Sequence, residues 1–375
     1  MKIAVYAIAK DESKFVDRWC ESMKEADEIV VLDTGSRDDT FAKLKAHGVK
    51  VEGKIINPWR FDVARNESMK LVSPDAEILV CTDLDEILLP GWRAKLEKAW
   101  TDAVAAGQNP TTAQYEYVWN FNPDGSDGTK FTYEKIHRPG IAMWTHPVHE
   151  ILAYTEQKVC VQVPGMRLEH HADPTKSRGQ YLALLEMSVR EDPQDDRNMH
   201  YLGREYMFYQ RWDECIRTLQ AHLRLPRAQW RAERAASMRY IAKSYGAKGL
   251  TDKQEAWLWR AIYEEPGQRE ASIELAELAH SRKDWNLLVR ACEACLAVKR
   301  RTMSYLTKDY AWGARPWDLY AIGLWYTGKL DDAIQANEKA MALDPNDKRL
   351  KENDRVMREL LEKRNAGGID GSCKR

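Results

Sequence analysis

The spacing of hydrophobic residues divides the chain into two parts with different periods. Up to about residue 165, short apolar runs typical of strands alternate with amphipathic segments typical of helices. Phe15, Trp19 and Met23, for example, recur at every fourth position and share one helical face. The predicted strands are 2–8, 28–32, 49–52 and 77–81, and the predicted helices are 14–25, 40–47 and 62–71. This alternation predicts an α/β domain with a mostly parallel sheet.

From about residue 175 the strand signals end and helices follow one another with a weak repeat. The predicted helix pairs are 201–226, 235–266, 271–298 and 317–345. The last pair resembles a tetratricopeptide (TPR) unit, a repeat of about 34 residues. A helix pair buries little surface alone and must stack on its neighbours. We therefore expect an α/β domain over 1–172, an all-α repeat domain over 173–362 and a disordered tail over 363–375.

Composition adds few constraints. The 375 residues are 44% hydrophobic and 31% charged, and the net charge of −1 gives no global attraction to nucleic acid or membranes. No apolar run approaches the ~18 residues of a membrane span, and the first residues form a strand pattern without a signal-peptide core. Seven scattered cysteines argue against a disulfide framework, so we expect a cytoplasmic protein.

The strongest candidate for chemistry is the acidic segment 81–86, Cys-Thr-Asp-Leu-Asp-Glu. It follows the apolar run 78–80, so Asp83 and Asp85 lie just beyond a predicted buried strand. Two carboxylates at i and i+2 can converge on a hard cation such as Mg²⁺ or Mn²⁺, which shares its other positions with substrate phosphates. The alternative is a capped loop with solvated acids. Asp11 and Asp33 also follow predicted strands, and ligands of parallel sheets bind at the carboxyl ends of strands.

Four segments carry a family resemblance: 8–12, 28–40, 61–67 and 82–86, in this order and spacing. With these segments the first ~170 residues resemble the family 2 glycosyltransferases of the GT-A fold, and most closely the subgroup with C-terminal TPR repeats, which includes bacteriocin S-glycosyltransferases. Asp11 stands where that family usually has Asn. The resemblance implies a UDP-sugar donor, Mn²⁺ or Mg²⁺, and inversion at the anomeric carbon.

The predicted site residues fall into two sets. The donor-binding set comprises Ala7, Ile8, Lys10, Glu12, Asp33, Gly35, Ser36, Arg65, Asn66, Asp83 and Leu84. The metal set comprises Asp83, Asp85, His170 and His171, because the family often supplies a late histidine, and Glu86 is an alternative to Asp83. The family pattern favours His170, but spacing does not separate the two histidines.

The residues of the donor-binding set also make chemical sense individually. Asp33 can accept hydrogen bonds from a ribose or a base edge, and Gly35 permits a tight turn. Arg65 has the planar, permanently charged fork that suits a diphosphate. Several simpler roles remain open. These are a helix cap for Asp38 or Asp39, a surface ion pair of Arg65 with Asp62 or Glu67, and a loop contact for Asn66.

Glu150 is the candidate general base, with His149 orienting it, because inverting transfer requires a carboxylate that removes the acceptor proton. Asp124 or Asp127 is the alternative base, and a strand-edge pair without chemistry is the simplest interpretation of 149–150. Arg178 and Tyr181 could close over the diphosphate or make an interdomain contact.

The sequence thus predicts a metal-dependent glycosyltransferase that uses a nucleotide-sugar. The acceptor is a peptide, a glycan or a nucleic acid, the last because nine Lys or Arg occur between His200 and Tyr245. The repeats could bind partners or form a homodimer. Two other classes compete: a TPR-type assembly protein with a vestigial transferase half, and a nucleotidyltransferase, which normally has a Gly-rich loop after its first strand.

Overall fold

The computed structural model describes residues 1–174 and 179–367 and divides into two compact units, Met1–Pro193 and a second unit from Gln194 onward. The predicted domain boundary at 172/173 lies earlier than this division. The difference arises because helix Tyr181–Glu191 packs within the first unit. Its Tyr181 ring lies 6.1 Å from the ring of Phe61, and Arg60 forms an ion pair with Glu191 at 2.5 Å.

The first unit alternates strands and helices, as its hydrophobic pattern predicts. Its elements are β1 Ile3–Ala9, α1 Ser13–Met23, β2 Glu28–Asp33, α2 Thr40–Ala46, β3 Lys50–Gly53, α3 Phe61–Met69, β4 Ile78–Cys81, β5 Glu86–Leu88, α4 Trp92–Ala105, β6 Thr112–Val118, β7 Lys130–His137, β8 Ala142–Thr145, β9 Ile151–Tyr154, β10 Cys160–His170 and α5 Tyr181–Glu191. The seven elements predicted before residue 82 are confirmed, with ends shifted by one or two residues.

The strands form an eight-stranded sheet in the order β3-β2-β1-β4-β7-β6-β10-β5. Strands β1 to β4 are parallel to their neighbours within that group, β6 and β10 are parallel to each other, and β7 and β5 are antiparallel to the strands beside them. The mostly parallel α/β fold is therefore confirmed. Strands β8 and β9 make a separate antiparallel hairpin.

Helix α1 shows how the sequence sets the packing. Phe15, Trp19 and Met23 are buried together with Val16 and Cys20, which are the positions that the helical period places on one face. The indole nitrogen of Trp19 donates to the hydroxyl of Thr82 at 3.0 Å. This bond ties α1 directly to the segment that carries the acidic motif.

The second unit consists of helix pairs followed by one long helix. The elements are α6 Asp196–Phe208, α7 Trp212–His222, α8 Arg231–Ala247, α9 Thr251–Glu264, α10 Glu270–Ser281, α11 Trp285–Ala297, a 3-10 turn Asp309–Ala311, α12 Arg315–Tyr326, α13 Leu330–Leu343 and α14 Lys348–Gly367. Each of the four predicted pairs is confirmed. Helix α14 continues through residues 363–367, where the sequence predicts a disordered tail, and the remaining tail residues lie outside the described residues.

Two further expectations concern cysteines and membranes. The six cysteines within residues 1–174 and 179–367 are free thiols, and burial raises the pKa of Cys295 to about 12. In the same part of the chain, no helix combines the length and the apolar character that crossing a membrane requires.

We predict that Gly203→Ala destabilises the first helix pair. A Cβ at Gly203 would lie 2.3 Å from Cδ2 of Leu219, which is fully buried. Overpacking of this kind costs about 1–3 kcal/mol. Gly246→Ala is the matched control, because its Cβ would meet only the flexible Gln254 side chain and helical alanine is favoured by about 1 kcal/mol. Urea unfolding followed by helical circular dichroism should place the Gly203 variant below the wild type and the Gly246 variant at or above it.

Candidate functional site

The carboxyl ends of β2, β1 and β4 lie side by side, because these strands are neighbours and parallel in the sheet. Asp33 is the last residue of β2, Asp11 follows β1 by two positions, and Asp83 follows β4 by two positions. The structure therefore brings together three acidic residues that are far apart in the sequence. This edge is the expected ligand edge of a parallel sheet.

Asp33 has one oxygen engaged and one oxygen unpaired. Its Oδ1 accepts the backbone N–H groups of Gly35 and Ser36 at 2.9 and 2.8 Å, which holds the turn after β2. Its Oδ2 is buried, and none of the described residues hydrogen-bonds to it. A buried carboxylate oxygen without a donor is unfavourable, so this atom is suited to accept a bond from a ligand.

Glycine is required in the turn after Asp33. Gly35 has a φ of +107°, and a Cβ there would lie 2.6 Å from Cδ1 of Ile55.

Hydrogen bonds also connect the loop after β1 with the loop after β2. Asp11 accepts the N–H of Arg37, and Asp38 accepts the N–H groups of Ser13 and Thr40. Asp38 thus bonds to the first residues of α1 and α2, whereas Asp39, which occupies the N-cap position of α2, makes no capping bond with its side chain.

A row of alternating charges runs beneath the acidic motif. Arg65 of α3 donates to Glu150 at 2.6 Å and to Asp83 Oδ1 at 2.8 Å. Lys135 of β7 contacts Asp83 Oδ2 at 2.8 Å and Glu86 Oε1 at 3.1 Å. Both cations are only 4% exposed. The surface pair of Arg65 with Asp62 or Glu67 does not form, since Asp62 binds Arg60 and Glu67 binds Lys54 and Lys70.

These pairs shift the titration of the groups involved. Burial opposes the ionisation of Asp83, but the charges of Arg65 and Lys135 outweigh it and hold the pKa of this carboxyl well below its usual range. Burial raises the pKa of Glu86, which also accepts a hydrogen bond from the Tyr117 hydroxyl at 2.8 Å. The charged form of Asp83 is therefore fixed by its partners across the neutral range of pH.

Lys135 is a site residue that the sequence analysis missed. It lies where β7 has two residues, Glu134 and Lys135, opposite the single residue Gln114 of β6. This extra residue is a β-bulge, a feature that re-aims side chains beside functional sites. A bulge interrupts the alternation of a strand, so the period-2 pattern of the sequence gives no signal for the direction of Lys135.

Asp85 and His170 form a second pair at this edge. Strand β5 pairs with β10 so that Glu86 lies opposite His170, and this register brings His170 Nε2 to 3.4 Å from Asp85 Oδ2. His170 Nδ1 lies 2.9 Å from the carbonyl oxygen of Trp119. An Nδ1–H donated to that carbonyl leaves the lone pair on Nε2, on the side of Asp85. Burial alone would lower the pKa of His170, but Asp85 outweighs it and raises that pKa.

The four predicted metal ligands are not gathered into one group. Asp83 is occupied by Arg65 and Lys135, and His171 lies against Phe121 and contacts Glu169 at 3.3 Å. Glu86, the alternative ligand, is buried under Tyr117 and Lys135. In residues 1–174 and 179–367, no three His, Cys, Asp or Glu side chains are placed to hold a metal ion. Asp85 and His170 are two suitable donors, and the carbonyl bond of His170 is the support that ligating histidines have.

Several predicted donor-binding residues also make contacts within the fold. Both ends of the Asn66 amide bond the backbone of Trp144, at 2.8 and 2.9 Å, so this side chain holds strand β8, whereas the simpler interpretation expected a loop contact. Leu84 and Ala7 are buried in the core. Ile8 is half-buried, Lys10 is exposed, and the backbone of Glu12 donates to Thr40 at 2.8 Å.

The candidate bases differ in their surroundings. Glu150 accepts from Arg65 through Oε1, and none of the described residues hydrogen-bonds to its Oε2. His149 has a positive φ of 53° and its ring lies 5.9 Å from that of Tyr181. Asp127 is held by a two-pronged contact with Arg167, and Asp124 accepts from Ser126. Arg178 lies outside the described residues.

The basic residues between His200 and Tyr245 are partly neutralised locally. Arg211 pairs with Glu214, Arg234 with Glu264 and Arg239 with Glu274. Arg231 donates to backbone carbonyl oxygens, and Arg204 lies 4.5 Å from the ring of Tyr201. The excess of positive charge that suggested a nucleic-acid acceptor is therefore smaller in the fold than in the sequence.

Comparison with known proteins finds a family model that matches part of the first unit. Residues 5–153 match the family model described as "Glycosyl transferase family 2". The match spans every strand of the first unit up to β9 and includes Asp33, Arg65, Asp83 and Asp85. It supports the glycosyltransferase class for this unit.

The chain is also similar to proteins that are described as carrying TPR repeats. A TPR repeat-containing protein of Synechococcus elongatus is 32% identical over 94 residues, which are 24% of this chain and 22% of that protein. The chain thus matches about a fifth of the length of this curated relative. Among solved structures, YrrB, described as a TPR protein with an unusual peptide-binding site, is 11% identical, with a TM-score of 0.36 over 47% of this chain and 83% of its own. Yeast Tom70 is 16% identical, with a TM-score of 0.36 over 52% of this chain and 38% of its own.

Proposed function

Because residues 5–153 match the model of the family 2 glycosyltransferases, we propose that this chain transfers a sugar from a UDP-sugar to an acceptor with inversion at the anomeric carbon. The observation that carries the proposal is the position of Asp33. Its unpaired, buried Oδ2 lies at the ligand edge of the sheet, in the same row as Asp83 and Asp85. An unpaired acceptor of this kind suits the N–H or hydroxyl donors of a nucleoside.

Other residues would bind the metal ion and hold the acidic motif in place for the donor. Asp85 and His170 would hold Mn²⁺ or Mg²⁺, whose other positions would be filled by oxygens of the diphosphate, since such ions commonly have only one or two protein carboxylates. A bound divalent ion would stabilise the negative charge of the leaving diphosphate. Arg65 and Lys135 fix Asp83 beside that site, so the acidic motif is held rigid before the donor arrives.

Glu150 is the proposed general base. In the transfer, the acceptor hydroxyl loses its proton to Glu150, its oxygen forms a bond to the anomeric carbon, and the bond from that carbon to the diphosphate breaks to release UDP. Arg65 holds Oε1 and leaves Oε2 available for the acceptor proton. We expect Glu150→Gln to impair transfer and to leave UDP binding unchanged.

Nucleotide binding is the direct test of the donor. We expect UDP with Mn²⁺ to raise the melting temperature of the full chain and CDP with Mn²⁺ to do so much less, because the donor site reads the base. Asp33→Asn should weaken UDP binding by about tenfold, the effect of one hydrogen bond to a charged group. Asp75→Asn, on an exposed loop where it pairs with Lys2, is the control. Equal stabilisation by UDP and CDP, or unchanged binding in the Asp33 variant, would contradict the proposal.

A binding or assembly protein with a vestigial transferase half is the second candidate. The observation in its favour is that protein cations occupy two acids of the motif, since Arg65 and Lys135 contact Asp83 and Lys135 contacts Glu86. The two candidates differ in one measurement: a transferase should slowly release UDP from a UDP-sugar in the presence of Mn²⁺, whereas a vestigial domain should not. UDP binding without any release of sugar from a panel of UDP-sugars would favour the second candidate.

A further inference from the structure

A cavity of about 460 Å³ lies beside the Asp85–His170 pair, within the first unit. It is lined by Phe15 and Arg18 of α1, by Trp119 and Phe121 after β6, and by residues 170–174, which begin with the last residue of β10. This volume falls within the range of about 300–1,000 Å³ of small-molecule sites. Because His170 belongs both to the pair and to the wall, a molecule in the cavity would lie next to the proposed diphosphate site.

The cavity contains two cations, and they differ in their partners. Lys14 is neutralised by Asp173 at 2.6 Å. Arg18 makes no ion pair within 4.0 Å among the described residues, and its nearest bond is a long one, 3.3 Å from a terminal nitrogen to the carbonyl oxygen of His171. Its Nε is buried and has no hydrogen-bond partner there. A guanidinium remains charged at all ordinary pH values, so Arg18 presents a cation without a carboxylate in contact.

The surroundings of Arg18 explain why its guanidinium should bind an anion strongly. Its guanidinium carbon lies 4.6 Å from the centre of the Phe15 ring. Burial lowers the pKa of Arg18, and the negative charge of Asp85 opposes this change without cancelling it. A cation that is partly removed from water and lacks a contacting counter-ion binds an incoming anion more strongly than an exposed one does.

Aromatic faces form the rest of the wall. The ring of Trp119 stacks on His170 with 4.5 Å between centroids, and the ring of Phe121 stacks on His171 with 5.2 Å. Trp119 is nevertheless 47% exposed, although an indole of this size is usually well covered. Flat, partly exposed rings held by imidazole neighbours are suitable surfaces for the C–H face of a sugar ring.

We propose that this cavity binds the acceptor, and that Arg18 selects an acceptor sugar that carries a carboxylate group. The role of the bound sugar as the acceptor rests on the proposed glycosyltransferase function, whereas the preference for an acidic sugar rests on the residues of the cavity alone. The planar fork of Nε and a terminal nitrogen matches a carboxylate in two-pronged contact, and the stacked rings match the sugar beside it.

Binding of two matched glycosides tests the proposal. 4-Nitrophenyl β-glucuronide has a carboxylate at the position where 4-nitrophenyl β-glucoside has a hydroxymethyl group, and the two compounds are otherwise identical. We expect the full chain, titrated in the presence of UDP and Mn²⁺ and followed by calorimetry or NMR, to bind the glucuronide about tenfold more tightly, as one charge-assisted hydrogen bond allows. Arg18→Gln should remove this preference and change the affinity for the glucoside by less than about twofold.

Two controls test whether the preference arises in the cavity. Arg138→Gln removes a cation at the far end of β7, where Arg138 pairs with Glu156, and should keep the preference. Arg18→Gln should leave the affinity for UDP unchanged. Equal binding of the two glycosides by the wild type, no binding of either, or a preference that survives Arg18→Gln would overturn the inference. A loss of UDP affinity in the Arg18 variant would do the same, since it would assign Arg18 to the diphosphate.

The same titrations distinguish the failure of this inference from the failure of the proposed function. If UDP binds and the glycosides are not discriminated, the acidic-acceptor inference fails and the transferase proposal is unaffected. If the glucuronide is preferred through Arg18 but UDP does not bind with any divalent ion, the cavity is a binding site for acidic sugars and the transferase proposal fails.

Discussion

Asp85→Ala is expected to lower the release of UDP from a UDP-sugar by at least about 10³-fold, because it removes the carboxylate that is paired with His170 and because charge stabilisation by a bound ion contributes several kcal/mol. The free energy of unfolding should change by less than about 1 kcal/mol, since the Asp85 side chain contacts solvent and takes no part in the buried charge row. Steady-state UDP release with saturating Mn²⁺, together with urea unfolding, measures both quantities.

Two variants make this test specific. Asp124→Ala removes an exposed carboxylate whose bonds among residues 1–174 and 179–367 are to Ser126, and it should retain the activity of the wild type. His170→Ala should reduce activity and raise the Mn²⁺ concentration required for half of the remaining rate. Full activity of the Asp85 variant, or an activity of the wild type that is independent of added divalent ions and insensitive to chelators, would contradict the assignment of this pair.

Lys135→Met is expected to have the largest effect on stability, a loss of about 3–5 kcal/mol in the first unit. The reason is that Lys135 is buried between Asp83 and Glu86, and its removal leaves the buried Glu86 carboxylate without a cation and leaves Asp83 with Arg65 alone. Hydrogen exchange of the amides in β4 and β7 reports on this unit separately from the helical repeats, so it is the appropriate measurement.

The matched control for Lys135 is on the same strand. Lys130→Met removes a half-exposed lysine that contacts Glu116 and Asp127 at 3.8 and 3.2 Å, and it should cost no more than about 1 kcal/mol. Adding Glu86→Gln to Lys135→Met should recover part of the loss, because it removes the buried charge that the loss of Lys135 leaves uncompensated. Equal protection of β4 and β7 in the wild type and the Lys135 variant would show that the charge row does not stabilise the sheet.

The charge row also constrains the chemistry of the site. Arg65 and Lys135 use both oxygens of Asp83, so this carboxylate is a fixed part of the scaffold under the donor site. Arg65 also contacts Glu150, so a substitution of Arg65 removes an ion pair from the acidic motif and another from the proposed base. Effects of substitutions at these positions should therefore not be additive.

Much of the candidate site could be predicted from the sequence because its residues follow regular elements. Asp33 and Asp83 were identified because each follows an apolar run that is typical of a buried strand, and parallel strands end at one edge. His170 was identified only through the family resemblance. Its approach to Asp85 depends on the pairing of β5 with β10, two strands that lie about 80 residues apart and are joined by no local signal.

The hydrophobic pattern of the sequence by itself determined the two-part organisation, the order of strands and helices before residue 82 and the four helix pairs, since these depend on periods of two and 3.6 residues and on local stop signals. Only the tertiary structure decided which charges meet. The bulge that aims Lys135, the capture of Asp83 and Glu150 by Arg65, and the absence of an ion pair at Arg18 among the described residues all depend on distances between residues remote in sequence. Coulomb energies and hydrogen bonds depend on those distances and on burial, and neither quantity is encoded in local periodicity.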